Sequence, residues 1–248
     1  MAVNLFFQVE PMISFVIPAF NEENYIADCI TSITKDAFDG NIYIPHEIIV
    51  VDNNSTDHTA EVAREYGATV IQEPHKGTSW ARQAGLEASK YDLVAFIDAD
   101  CKLPSGWFNI AYETLMQDNV VAASGPHVFH ELDLNKRILV FIFYCFAKIL
   151  HVACPTINGA NFIVRKQSLL KVGGFDTSIK FHGDDTSAAL RLSARGVIKF
   201  NLGMYVLSSA RRFQAEGMFR TGFTYVMNYA WVWLTGRPFT RTHQDVRL

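Results

Sequence analysis

The sequence predicts an α/β protein built on a mixed, mostly parallel central sheet with helices on both faces. Three observations carry this. Short, continuously apolar runs recur through the N-terminal half, as strands buried on both faces require. Segments with helical spacing separate them. The runs are followed by carboxylates and amides, so polar groups collect past the strand ends, where such sheets bind ligands.

Taken in order, Ile13 to Ile17 is the first strand, ended by Pro18. Asn21 then caps a helix whose first turn carries Glu22 and Glu23, and Ile26, Ile30 and Ile33 give it an apolar stripe. Ile48 to Val51 is the second strand, ending at Asp52, and Asn53-Asn54-Ser55 is turn chemistry. Thr59 to Tyr66 is a helix stopped by Gly67, and Thr69 to Ile71 is the third strand. A helix over Thr78 to Ser89 leads to the fourth strand, Leu93 to Ile97, which ends at Asp98. The second half is less regular. Val120 to Ala123 and Phe162 to Val164 are strands, the latter entered through the loop Asn158-Gly159-Ala160-Asn161. Gln167 to Val172 is a short helix ended by Gly173-Gly174, and Asp184 to Arg195 is a helix with Gly196 as its stop. Val197 to Phe200 and Tyr205 to Leu207 are strand candidates, and Ile138 to Val152 is apolar without a clear period.

The chain has 248 residues, 49% of them apolar and 19% charged, enough to bury a sizeable core. With 22 Lys/Arg against 25 Asp/Glu the net charge is −3, which argues against nucleic acid as a partner. The charge is uneven: residues 211–248 hold six arginines against Glu216 and Asp245. The division expected is an extension over 1–11, one domain over 12–213, and a basic, aromatic appendage over 214–248. Residues 1–11 lack a basic start and do not read as a secretory signal. Four cysteines at 29, 101, 145 and 154 form no C-x-x-C pair and read as thiols of a reducing compartment, here the cytoplasm.

Several groups are candidates for chemistry. Asp98-Ala99-Asp100 offers two hard carboxylates to Mn²⁺ or Mg²⁺, or is an acidic turn. Asp52 either accepts a hydrogen bond from a base or ribose or caps its turn. Arg82, by itself a surface arginine, can also bridge two carboxylates. Asp184-Asp185 opens a helix, where like charges side by side either cap it or raise one pKa toward that of a general base. Arg211-Arg212 suits a pyrophosphate or is a solvated pair.

Together these segments resemble the family 2 glycosyltransferases, whose nucleotide-binding domain has the GT-A fold. The resemblance covers residues 12–213. It rests on Phe15 to Glu23, Ile49 to Asp57, Gly77 with Ala81-Arg82, Asp98-Ala99-Asp100 and Gly173-Gly174-Phe175-Asp176. It implies that Pro18, Phe20, Glu22 and Asp52 line the nucleoside pocket and that Arg82 braces it. Asp98 would contact ribose or sugar and share the divalent cation with Asp100, and Arg211 or Arg212 would neutralise the departing diphosphate. Gly159, Ala160 and Asn161 would meet the transferred sugar and acceptor, and Asp185 would be the catalytic base with Asp184 beside it. Asp184 stands where the family places Glu, Gln83 where it often has Asn, and no histidine stands at 208–212. The implied reaction is inverting transfer from a nucleotide sugar to a saccharide or lipid-linked hydroxyl, in cell-envelope polysaccharide or glycolipid synthesis. A nucleotidyltransferase would instead need a glycine-rich basic loop after the first strand, where this chain reads Pro18-Ala19-Phe20-Asn21-Glu22-Glu23. A third alternative is a non-catalytic binding module of the same fold.

Two stretches bear on a membrane. Ile138 to Ala147 is too short to span one and reads as a buried core segment, or else as an interfacial one. Phe219, Phe223, Val226, Ala230 and Trp233 recur at helical spacing among Tyr225, Tyr229 and Trp231, with arginines 220, 237 and 241 flanking. Such a helix lies on an anionic surface at the inner face of the membrane, or packs on the body or a second subunit as a homo-oligomer contact.

Overall fold

The computed structural model describes residues 12–37, 44–151, 154–179 and 181–240. The 1–11 extension, Val152, and residues 241–248 of the appendage with Arg241 lie outside them. The N-terminal half alternates as its apolar runs predict: β1 (Ile13–Ala19), α1 (Ile26–Ala37), β2 (His46–Asp52), α2 (Thr59–Glu65), β3 (Thr69–Gln72), α3 (Thr78–Ala88) and β4 (Leu93–Ile97). Then come β5 (Cys101–Lys102), α4 (Trp107–Leu115), β6 (Val120–Ser124), β7 (His127–Val128), α5 (Leu134–Leu150), β8 (Asn161–Arg165), α6 (Lys166–Leu170), α7 (Asp184–Leu192), β9 (Val197–Phe200), β10 (Val206–Ser208), α8 (Arg211–Glu216) and α9 (Met218–Thr235).

Seven strands form one sheet in the order β3-β2-β1-β4-β8-β6-β9. All neighbours are parallel except β8, which runs antiparallel to β4 and β6. That reversal sets Ile97, the last residue of β4, opposite Asn161, the first of β8. The loop before β8 therefore arrives at the same edge as the loops after β1, β2 and β4. A second small sheet, β5-β10-β7, anchors the return of the chain to that edge by pairing Ser208 with Cys101.

Both faces are covered. Ile26, Ile30 and Ile33 of α1, with Trp107 and Leu115 of α4, pack on one side against Phe15, Ile17 and Val50. Leu86 of α3, Leu169 of α6 and Leu192 of α7 pack on the other against Val16, Val51 and Phe96. Residues 15, 16 and 17 alternate between the faces, as side chains of a strand do.

Two expectations are corrected. Asn21 does not begin a helix: it adopts a left-handed turn at φ 52°, and α1 starts at Ile26. The apolar segment around Ile138 to Ala147 is not a core element. It is the 17-residue helix α5, in which no residue is buried, because the sheet faces are already filled by other helices.

Candidate active site

The edge where β1 and β2 end is laced together by short polar bonds. The Oδ1 of Asn21 accepts from the Thr56 N–H at 2.8 Å. Asp57 accepts from the Glu23 N–H at 3.1 Å, and the Glu23 carboxylate from the His58 N–H at 2.9 Å. Such mutual satisfaction rigidifies a loop pair, so the positions that follow are held precisely in space by backbone as well as side chain.

On the donor side, Pro18 lies in β1 beside Val51. Asp52 is buried at the end of β2, where its Oδ1 accepts from the Ser55 N–H at 3.0 Å and its Oδ2 from the Gln72 amide at 2.8 Å. Asn53 fixes the approach to α3, donating to the carbonyls of Glu73 and His75 and accepting from the Gly77 N–H at 2.8 Å. Phe20 is half-buried, with the Lys76 ammonium 4.7 Å from its ring centroid. Glu22 is buried and faces Arg211 at 2.5 Å.

Arg82 is the junction of the site. It is buried on α3, with Nη1 2.6 Å from Asp184 and Nη2 3.2 Å from Asp98. Burial opposes its charge, but Asp184, Asp98 and Asp185 together hold its pKa above the ordinary value. One guanidinium thus ties the start of α7 to the end of β4. Gly159 permits this: a Cβ there would lie 2.7 Å from Nη2 of Arg82. Its N–H donates to Asp185 at 3.0 Å. Burial, followed by the neighbouring Asp184, pushes the Asp185 carboxyl up to about 6 against the pull of Arg82.

Asp98 and Asp100 follow β4, with side chains 37% and 18% exposed. Arg211, at the start of α8, reaches 3.1 Å from Asp100 and stacks over the Tyr25 ring. Beneath them the Cys29 and Cys101 thiols are pushed up by burial and then by the two aspartates, so they stay protonated. Among the described residues no group of three or more His, Cys, Asp and Glu side chains is arranged to hold a metal. Two carboxylates suit a divalent cation that arrives with its own phosphate oxygens, as Mg²⁺ and Mn²⁺ do on nucleotides.

Two sets of candidate site residues have partners within the protein. Asn161 is fully buried: its Oδ1 accepts from the Trp107 indole at 3.0 Å, and its amide donates to the carbonyls of Pro126 and Met204. The side chain is committed to the fold, and Ala160 beside it is also buried. Arg211 and Arg212 have different partners within the protein, as adjacent helical residues point about 100° apart. Arg212 lies 3.8 Å from Glu216, and its charge also acts on His182 and Tyr225.

Sequence reasoning missed His182 and Tyr225. His182 takes a left-handed turn just before α7, and its ring lies 5.8 Å from that of Tyr225 on α9. Burial, then Arg212, lowers its pKa to about 4, so it is neutral near pH 7. Its place before Gly183-Asp184-Asp185 was the available signal.

Comparison with known proteins fits this geometry. A family model described as glycosyl transferase family 2 matches residues 14–173. The hexosyltransferase Agl6 of low-salt glycan biosynthesis in Haloferax volcanii is 41% identical over 149 residues, 54% of this chain and 35% of that protein. The glycosyltransferase AglE of the same organism is 31% identical over 121 residues, 46% of this chain and 39% of that protein. The chain therefore spans well under half the length of these relatives. The mannosyltransferase PcManGT from Pyrobaculum calidifontis, solved with GDP-Man and Mn²⁺, superposes with a TM-score of 0.67 at 18% identity, covering 88% of this chain and 65% of that one. Glucosyl-3-phosphoglycerate synthase from Mycobacterium tuberculosis, solved with Mn²⁺, UDP and phosphoglyceric acid, gives 0.63 at 21% identity, covering 93% and 80%. The mixed α/β architecture is that of these GT-A glycosyltransferases.

Proposed function

The chain belongs to glycosyl transferase family 2, and from that membership we propose that it moves a hexose from a nucleotide-diphosphate sugar to an acceptor hydroxyl with inversion at the anomeric carbon. The observation that carries this reading is the Arg82 bridge, which gathers Asp184-Asp185 and Asp98 at one edge of the sheet.

Asp52, Phe20 and Pro18 bind the nucleoside, and the Gln72 amide holds the Asp52 carboxylate in place. Asp98 and Asp100 would hold a divalent cation, Mn²⁺ or Mg²⁺, which when bound would supply Lewis-acid stabilisation of the leaving diphosphate. Arg211, already charge-paired on Asp100, adds fixed positive charge where negative charge grows. Asp185 takes the proton from the acceptor hydroxyl as that oxygen attacks in line. Its raised pKa makes it a stronger base than an ordinary carboxylate while leaving it ionised near pH 7. Gly159 orients it through the N–H bond, and Asp184 balances Arg82.

The acceptor is a saccharide or lipid-linked hydroxyl. Residues 12–213 are the catalytic body, and the basic aromatic residues from 214 onward are an appendage that brings a cytoplasmic enzyme into peripheral contact with the inner face of a membrane. Among the described residues no helix is long and apolar enough to cross one. The test is product analysis on mixing with nucleotide sugars and Mn²⁺. Free nucleoside diphosphate is expected; pyrophosphate released from triphosphates identifies a nucleotidyltransferase, and no turnover with any donor supports the binding module.

A further inference from the structure

The most conspicuous feature outside the cleft is α5. An apolar helix is ordinarily buried, yet none of its residues is. Phe141, Ile142 and Phe146 are all more than half exposed, and Ile149 reaches 70%. α9 repeats the pattern on its outer side, with Phe219 83% exposed and Phe223 and Leu234 both above 60%. The two helices lie near one another. Val140 of α5 packs into the cluster that holds Met218 of α9, and the Tyr229 hydroxyl donates to the Cys154 carbonyl just past the end of α5 at 2.7 Å. Together they expose more large apolar side chains than the scattered ones of an ordinary protein exterior.

Charge identifies what meets it. Neither helix contains Asp or Glu. Their only charges are Lys136, Arg137, Lys148 and Arg220, although the rest of the chain is net acidic. A second copy docked across a two-fold axis would set these cations against one another. An anionic lipid surface pairs with them, and the half-exposed Trp231 and Trp233 of α9 suit its headgroup level. We propose that the joint face of α5 and α9 docks flat on an anionic bilayer. Helices of 17 and 18 residues lie along it. The same helix reaches the cleft with its opposite face: α9 packs on α7 through Val232, and its Tyr225 ring lies 5.8 Å from His182 beside Asp184-Asp185. Resting on the transferase reading above, the docking brings Asp184-Asp185 to within about a helix diameter of the headgroups, so the acceptor is a lipid-borne hydroxyl.

Flotation with phosphatidylcholine vesicles, with and without phosphatidylglycerol, tests this. The full chain floats only with phosphatidylglycerol and is released by high salt. Phe146→Asp with Phe223→Asp lowers partitioning at least about tenfold. Lys148→Gln and Arg220→Gln each lower it about fivefold. All variants keep the wild-type melting temperature and the same affinity for Mn²⁺ with UDP or GDP. Any of these results overturns the docking: no flotation; equal flotation of the double aspartate variant; or a dimer by light scattering that this variant dissociates while flotation is unchanged. Flotation gained only after deleting residues 1–11 also overturns it, since those residues would then cover the face. Loss of Mn²⁺–nucleotide binding in the wild type, with flotation intact, overturns the catalytic reading and leaves the docking standing.

Discussion

At the scale of single residues, the chemistry depends on how two adjacent carboxylates are treated differently. Asp184 is paired with a buried guanidinium at 2.6 Å, whereas Asp185 receives the N–H groups of Gly159 and Thr186. Removing the Asp185 charge leaves the nucleotide side untouched, so Asp185→Asn lowers kcat by about 10²–10⁴ with donor affinity retained; steady-state kinetics alongside calorimetry checks both. The acid limb of the wild-type kcat/KM profile falls below pH about 6, where Asp185 takes up its proton. The same shift acts on stability. A carboxyl whose folded pKa lies above its unfolded value binds the proton more tightly in the folded state, so stability drops as pH rises from about 4 to 6 and stays low above that. Asp185→Asn therefore melts higher than the wild type at pH 8, and the advantage fades toward pH 4 in a calorimetric series. Asp100→Ala acts on the other side of the cleft: it weakens Mn²⁺-dependent nucleoside diphosphate binding and leaves the metal-free affinity little changed. Motif spacing, which marks residue types, made Asp185, Asp100 and Arg82 candidates in the sequence, and the structure brings Arg82 to Asp98 and Asp184. The spacing did not reveal that Asn161 is a core hub, since an amide in a glycine-rich loop reads the same whether it faces ligand or protein.

Between elements, a few polar contacts set the angles at which helices meet the sheet. Asp36 at the end of α1 receives the N–H groups of Gly106 and Phe108 at 2.6 and 2.7 Å, fixing the start of α4. Asp36→Ala strands two buried donors and is expected to cost about 1–3 kcal/mol, measurable by urea unfolding. Gly183 does a related service for α7: it sits at φ 104°, and a Cβ there would come within 2.7 Å of Val232 on α9. α1, α2, α3, β1 and β4 were readable from period and breakers. The helix α4 and the two-residue strands β5 and β7 were not, because so short a run carries no period and its pairing partners lie about a hundred residues away.

Across the whole molecule, the catalytic body and the C-terminal helices are coupled. Thr221, Asn228 and Val232 of α9 are buried, and the helix packs on α7. Truncation after Glu216 uncovers the Asp184-Asp185 turn and lowers the melting temperature by at least about 4 °C, since each kcal/mol lost is about 2–4 °C at this size. Scanning calorimetry decides it: an unchanged melting temperature would mean that α9 adds nothing to the body.

Local sequence determined the alternation of buried strands and amphipathic helices and the acidic residues past the strand ends. Both follow from side-chain period and chain punctuation, which act over a few residues. Only the tertiary structure decided that β8 runs backward beside β4, that Arg82 joins carboxylates 86 positions apart in the chain, that Arg211 and Arg212 diverge, and that the most apolar stretch lies outside the core. These depend on which surfaces remain after the sheet faces are filled, and that competition between distant segments leaves no trace in local spacing.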